Sequence, residues 1–170
     1  MALTRLGSNN STNISGINLT SQVTGTLPAA NGGTGATSFA PGKILQVVQG
    51  TTDSSTSITS TSFQPTVITA SITPSSSSSK VLCIAMGTTE AGTDDRNYIA
   101  IYRGTSNVVS GALANNQVSG LQNPFSVHYL DSPSTTSSTA YTVYGRVQSA
   151  GQTMAVGSGT MIMTLYEVSA

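Results

Sequence analysis

The chain has 170 residues, enough for one compact domain with a tail, and it carries six basic and six acidic residues for a net charge of zero. Without a basic excess, the composition excludes a nucleic-acid-binding protein and a protein that binds anionic membranes. Hydrophobic residues make up 37%, too many for a charge-driven disordered chain. A long helix would need Ala, Glu, Lys, Leu and Arg in bulk, whereas this chain is rich in Ser, Thr, Gly, Val and Ile, so we predict an all-β protein.

The cysteine content and the first residues add two limits. The single cysteine, Cys83, cannot form a disulfide within the chain, and the sequence contains no CxxC motif or Cys/His cluster that would hold zinc. We therefore expect no cofactor. Residues Met1–Leu6 are followed by Gly7 and polar residues instead of an apolar run. This predicts that the protein has neither a signal peptide nor a membrane-inserted segment and is made in a cytoplasm.

Residues 1–41 differ in composition from the rest of the chain. Arg5 is their only charged residue, and their sparse apolar residues follow neither the period of a strand nor that of a helix. Residues 25–37 are dense in Gly and Pro, which favours tight turns or close backbone packing. A flexible linker is the alternative, although an apolar side chain such as that of Leu27 stabilises nothing unless other residues bury it. We predict an extended N-terminal segment that does not fold alone.

From Lys43 onward the sequence changes to short β-rich runs separated by turn residues. Alternation of apolar and polar residues is clearest in 66–72 and 140–147. Eight strands are predicted in about 130 residues, the number expected of a two-sheet β-sandwich, so residues 42–170 are assigned to one β domain. The predicted strands are Ile44–Gln49, Thr66–Thr73, Lys80–Gly87, Asn97–Arg103, Asn107–Ala112, Phe125–Asp131, Thr139–Val147 and Met161–Val168.

Two of these strands are apolar almost throughout, over residues 81–86 and 161–166. We expect them to be covered on both faces, either by the second sheet and a loop or by a neighbouring subunit. The predicted loops are almost uncharged, whereas a soluble monomer usually keeps about a quarter to a third of its surface positions charged. The outer surface is therefore either a Ser/Thr-coated β face or buried against partners, and the second option means an oligomer.

Several segments are similar to proteins of tailed bacteriophages. Residues 19–36, LTSQVTGTLPAANGGTGA, resemble a segment that recurs in fibre and other receptor-facing virion proteins. Residues 72–82, 101–104 and 164–168 resemble the C-terminal β domains of phage fibres, often from phages of cyanobacteria and other aquatic hosts. The resemblance covers most of the chain from Leu19 to Val168.

This resemblance implies a homotrimer within the virion, made in the host cytoplasm. Residues 1–41 would form an anchor and stalk attached to other virion proteins, and residues 42–170 a jelly-roll-like knob. Three extended stalk strands would surround one axis, where glycine lets backbones approach closely. The implied stalk residues are Gly25, Leu27, Gly32, Gly33 and Gly35.

Two functions fit a chain far shorter than a long tail fibre. The prediction is a short trimeric tail fibre that mediates adhesion to the host surface. The alternative is a capsid decoration or head-fibre protein bound to the phage shell. A cell-surface adhesin unrelated to phages is disfavoured, because no secretion signal is predicted.

The predicted partner on the host is a cell-surface glycan. Ser, Thr and Asn side chains suit carbohydrate, because sugar hydroxyls need short neutral donors and acceptors. We expect the glycan to contact loops over 87–97, 114–124 and 131–139, which are long and rich in Asn, Ser and Asp. Tyrosines within strands are expected to pack at the edge of the core instead. The candidate receptor residues are Asp94, Asp95, Asn115, Asn116, Asn123, Asp131 and Ser134.

Metal binding and catalysis are weighed against plainer roles. His128 is the only histidine, and three copies on a trimer axis could bind a metal ion, but an ordinary packing or hydrogen-bonding role is favoured. Glu90, Asp94 and Asp95 share a predicted loop without the ligand spacing of a calcium loop, so a solvated turn is favoured. The sequence contains no nucleophile elbow and no phosphate loop, and it has few carboxylates, so we predict that the protein is not an enzyme.

Overall fold

Antiparallel strands form the regular structure of the chain. The computed structural model describes residues 44–92, 95–109, 113–117, 119–157 and 159–169, and within these ranges there are eleven strands and no helix. The all-β prediction is confirmed. The strands are β1 (Ile44–Thr52), β2 (Thr56–Ile58), β3 (Gln64–Ile72), β4 (Lys80–Ala91), β5 (Asp95–Arg103), β6 (Ser106–Asn107), β7 (Leu113–Gln117), β8 (Gln122–Asp131), β9 (Thr139–Val147), β10 (Met154–Val156) and β11 (Met161–Val168).

Most predicted strands are confirmed, and β9 and β11 have the predicted bounds. The strand predicted over 107–112 is wrong at its start, because β6 ends at Asn107 and residues 108 and 109 belong to no strand; residues 110–112 lie outside the described residues. The sequence does not predict β2, β7 and β10. β2 and β10 have three residues each, too few for an alternation pattern, and β7 is rich in Ala and Asn, which are uncommon in strands.

The first sheet contains β1, β2, β4, β8, β10 and β11. Its main strand order is β1-β11-β4-β8, and these pairings are antiparallel. The short strands β2 and β10 extend the sheet, because β10 pairs both with β2 and with the last residues of β4. The sheet is therefore four strands wide along most of its length.

The second sheet contains β3, β5, β6, β7 and β9. Its order is β3-β9-β5, and the remaining edge of β5 pairs with both β6 and β7. The register between β3 and β9 shifts between Pro65 and Thr69. This sheet is also four strands wide, with β6 and β7 sharing the last position.

One hydrophobic cluster lies between the two sheets. Alternate residues of β3, such as Ile68 and Ile72, are buried while their neighbours are exposed, and β9 shows the same period of two. From the first sheet the core takes Met161, Met163 and Leu165 of β11. Each sheet thus buries one face against the other, which is the arrangement of a β-sandwich.

The two ends of the sandwich are defined by the strand ends and loops that lie there. Ile44 at the start of β1 pairs with Val168 at the end of β11, and Val168 pairs with Lys80 at the start of β4. We call this the entry end and the opposite one the far end. The entry end contains the loops 73–79, 104–105 and 132–138. The far end contains 59–63, 119–121 and 148–153.

Candidate binding surfaces

The structure places several predicted receptor residues in strands. Asn115 and Asn116 belong to β7, Asn123 belongs to β8, and Asp95 is the first residue of β5. The prediction that residues 114–124 form one long loop is therefore wrong. Backbone pairing of β7 with the free edge of β5 outweighs the low strand propensity of Ala and Asn.

The predicted receptor residues do not converge on one site. Ser134 lies in the loop 132–138 at the entry end, with a left-handed backbone at φ 53°. Asp131 ends β8 at the same end, whereas Asn123 lies eight residues earlier in that strand, towards the far end. At about 3.3 Å per residue, roughly 26 Å separates Asn123 from Asp131. One small glycan cannot span that distance.

Asp131 joins the two sheets inside the protein. Its Oδ2 accepts hydrogen bonds from Arg103 Nη1 and from the hydroxyl of Tyr141, each at 2.7 Å. Asp131 is 7% exposed and Tyr141 is fully buried. Burial, followed by the hydrogen bond to Asp131, raises the pKa of Tyr141 well above its usual range. The carboxylate is thus engaged in the fold, and the prediction that it lies in a solvent-facing receptor loop is wrong.

A second buried carboxylate lies at the entry end, on β11. Glu167 is fully buried, and its Oε1 accepts hydrogen bonds from the backbone amide and hydroxyl of Ser75, at 2.8 and 2.7 Å. Its Oε2 accepts one from Gln46 Nε2 at 2.7 Å. Burial alone would raise the pKa of Glu167, but the hydrogen bonds from Ser75, Gln46 and Ser79 outweigh it and lower this pKa to about 2.

This carboxylate predicts a loss of stability in acid. The pKa of Glu167 is about 2 in the folded chain, against 4.5 for an ordinary glutamate. Its contribution to the free energy of unfolding is therefore complete above pH 4.5 and is lost as the pH falls towards 2. We expect a loss on the order of 1.5–3 kcal/mol in the free energy of unfolding, the range for hydrogen bonds to a charged group. Urea unfolding of the wild type and of Glu167→Gln between pH 2 and 6 measures it; parallel curves would contradict the assignment.

A column of stacked side chains covers part of the outer face of the second sheet. The rings of Tyr102 and Tyr144 stack with centroids 3.9 Å apart, and Phe63 packs at a tilt on Tyr102 at 5.8 Å. The guanidinium of Arg146 lies 3.7 Å from the ring centroid of Tyr98 and 5.4 Å from that of Phe63. The rings and the guanidinium pack against one another's flat faces. The column therefore shields this part of the sheet from solvent.

The column refines the expectation for the strand tyrosines. Tyr141 packs in the core, whereas Tyr98, Tyr102 and Tyr144 are half-buried on the outer face. Tyr98 and Tyr102 are four residues apart in β5, and Tyr144 and Arg146 are two apart in β9; these even spacings are the sequence signal for a shared face. The pairing of Tyr98 with Arg146 depends on the strand register, which the sequence alone does not give.

The outer face of the first sheet has apolar residues at seven of twelve positions and no charged residue. The register of β1, β11, β4 and β8 aligns these residues in three rows, each with one residue from every strand. We call the twelve residues the apolar face. Val47, Met86 and Leu130 in these rows are 55%, 45% and 47% exposed. The rows are Val47, Tyr166, Leu82 and Leu130; Gln49, Thr164, Ile84 and His128; and Thr51, Ile162, Met86 and Ser126.

The apolar face bears on the expectation that residues 81–86 are covered on both faces, either by the second sheet and a loop or by a neighbouring subunit. Val81, Cys83 and Ala85 are fully buried against the second sheet, as predicted. Met86 on the other side is 45% exposed, so no loop among the described residues covers it. The sequence shows that residues 81–86 are apolar on both faces of the strand. It does not show which of these faces the second sheet of the same chain buries.

The residues considered for metal binding stay apart within the described part of the chain. His128 is exposed in β8, opposite Ile84, and no group of three His, Cys, Asp or Glu side chains that could hold a metal ion occurs among the described residues. Glu90 lies in β4, while Asp94 is outside the described residues. Cys83 is buried, and burial followed by the charge of Asp131 raises the pKa of its thiol far above the usual range.

The predicted stalk residues Gly25, Leu27, Gly32, Gly33 and Gly35 lie outside the described residues. Among the residues that the structure does describe, there is no helix long and apolar enough to cross a membrane. Comparison with protein-family models gives no match, and neither does comparison with the curated proteins.

Proposed function

We propose that the chain is a structural protein of a tailed-phage virion, a homotrimer that acts as a short tail fibre and mediates adhesion to the host surface. Residues 1–41 form the anchor and stalk and contact other virion proteins. Residues 42–170 form a jelly-roll knob that binds a host glycan without catalysis. The proposal rests on the sequence resemblance of residues 19–36 and on the strand order of the knob.

The strand order is the structural observation that carries the proposal. The chain passes from one sheet to the other between β2 and β3, β3 and β4, β4 and β5, β7 and β8, β8 and β9, and β9 and β10. Two four-stranded sheets linked by such crossings are typical of the jelly roll, a fold used by viral capsid and lectin domains. This order supports a knob in which loops gather at the two ends of a rigid sandwich.

The far end supports adhesion better than the entry end. The described chain begins at the entry end, where Ile44 starts β1, and the far end is formed by loops between strands. The far-end loops are tied together, because Ser119 Oγ donates to the Gly92 carbonyl at 2.8 Å and the Gly92 amide donates to the Thr153 carbonyl at 2.9 Å. In a trimer, three such surfaces would multiply a weak glycan affinity.

The first experiment measures the mass of the full chain by light scattering and its binding to host cells. We expect about three times the 17.3 kDa chain mass, together with retention on the host cells. Leu121→Arg at the far end, where the side chain is 56% exposed, should reduce retention at least several-fold without changing the mass. The matched control is Thr136→Arg, at an exposed position of the entry end.

A pull-down with the full chain tests the place of the protein on the particle. Capture of baseplate or tail proteins supports the tail fibre. Capture of the major capsid protein would replace it with the capsid decoration or head-fibre function. A monomer that neither host cells nor virion proteins retain would contradict the proposal.

A further inference from the structure

The apolar face exposes apolar side chains to solvent across the full width of the first sheet. Its first row, Val47, Tyr166, Leu82 and Leu130, is apolar across all four strands. Leu130 and Val47, at the two sides of the sheet, are about half exposed, at 47% and 55%. Contiguous exposed apolar surface of this kind marks an interaction site on a soluble protein.

The absence of charged residues from the apolar face indicates what kind of molecule can bind there. None of the twelve positions in the three rows is Asp, Glu, Lys or Arg. The nearest charge in the neighbouring row is Lys80, beside Val168 and Ile44 at the entry end. In a trimer whose threefold axis runs along this face, the same residue of each copy lies close to its equivalents, so a charged face would repel its own copies. A face of apolar and small or neutral polar side chains with a charge at its rim is instead compatible with copies of itself.

The size of the face agrees with a specific interface. Beyond the three rows, the same side of the sheet continues to Ile44, Val168 and Lys80 at one end and to Thr88 and Pro124 at the other. Three full rows of four positions and two shorter end rows lie within about 33 Å by 19 Å and cover on the order of 500 Å² in projection, close to the size of the smaller specific interfaces. Stable interfaces bury roughly 600–1,000 Å² on each partner.

Part of the outer face of the second sheet is covered by its own side chains. Arg146 and the rings of Tyr98, Tyr102 and Tyr144 cover one another there, while Val67 on β3 is 44% exposed. Among the described side chains, the aromatic column therefore distinguishes this face from that of the first sheet.

We propose that a second copy of this chain covers the apolar face, so that the protein assembles through the outer face of its first sheet. This inference rests on the trimer of the proposed function and names the surface that holds it together. The second sheet then faces outward, and β4 and β11 gain the second cover that their apolar sequences require.

Glutamate substitutions in the full chain test the surface. Met86→Glu and Leu130→Glu each place a charge within the apolar face, and Val67→Glu is the matched control, because Val67 is 44% exposed on β3 of the other sheet. We expect the mass from light scattering to fall about threefold for the first two variants and to stay unchanged for the third. Trimers in all three variants would overturn the inference and leave the proposed trimer standing. A monomeric wild type would overturn both.

Thiol labelling gives a second measurement if a glutamate variant fails to fold. The native Cys83 is buried, so cysteines introduced by Met86→Cys or Val67→Cys supply the reactive thiols. We expect maleimide to modify the Met86→Cys trimer at least tenfold more slowly than the Val67→Cys trimer. Equal rates would overturn the inference. Slow labelling of a monomeric Met86→Cys protein would overturn it as well, because the cover would then come from the same chain.

Discussion

Gly50→Ala is expected to destabilise the sandwich by about 3 kcal/mol or more, the upper range for overpacking. Gly50 lies in β1, and a Cβ there would collide with the carbonyl oxygen of Thr69 in β3. It would also lie 3.1 Å from the carbonyl carbon of Thr69 and 3.3 Å from Ala70 Cβ. Because the obstacle is backbone, β1 and β3 would have to move apart at the side of the sandwich where they meet. Urea unfolding followed by circular dichroism measures the loss.

Gly159→Ala is the matched control for this prediction. A Cβ at Gly159 would meet nothing within 4 Å, and its φ does not lie in the left-handed region. The free energy of unfolding of this variant should stay within about 0.5 kcal/mol of the wild type. Equal losses in both variants would contradict a loss caused by contact with Thr69, since the effect of alanine on the unfolded chain is stabilising.

Asp131→Ala is expected to cost about 3 kcal/mol, the lower end of the range for breaking a buried ion pair. The substitution leaves the fully buried hydroxyl of Tyr141 without its acceptor and Arg103 without its counter-ion. The Arg103 side chain is 33% exposed, and water compensates part of its loss. Tyr141→Phe, which removes only the donor, should cost about 1 kcal/mol.

A double-mutant cycle separates this cluster from a general loss of packing. With Asp131→Ala already present, Tyr141→Phe should cost less than it does in the wild type, with a coupling energy of about 0.5–3 kcal/mol. Strict additivity of the two losses would contradict the hydrogen bond between them. Chemical unfolding of the four proteins at pH 7 gives all the required values.

The elements predicted from sequence are those whose pattern is local. β3 and β9 alternate apolar and polar residues because one face is buried, and this period is written in the chain itself. β7 is a strand because β5 offers it a free edge, a non-local cause that its Ala- and Asn-rich sequence does not reveal. The role of Asp131 is hidden for the same reason, because its partners Arg103 and Tyr141 come from two other strands.

The candidate surfaces are likewise predictable from the sequence only in part. The apolar runs of β4 and β11 signal that something must cover two faces, which the sequence makes plain. That the uncovered residues form continuous rows follows only from the register of β1, β11, β4 and β8. The aromatic column likewise needs the register of β5 and β9, together with Phe63 from a preceding loop.

The position of the last strand matters for anyone who would attach cargo to this protein. Because Val168 pairs with Ile44, a tag fused after β11 would emerge at the entry end, beside the first residue of β1. The turn at Gly151, with a left-handed φ of 83° and open space around it, lies at the other end of the sandwich. A peptide inserted there would be displayed away from the end of β11, which makes this turn a suitable site for epitope display or fluorescent labelling.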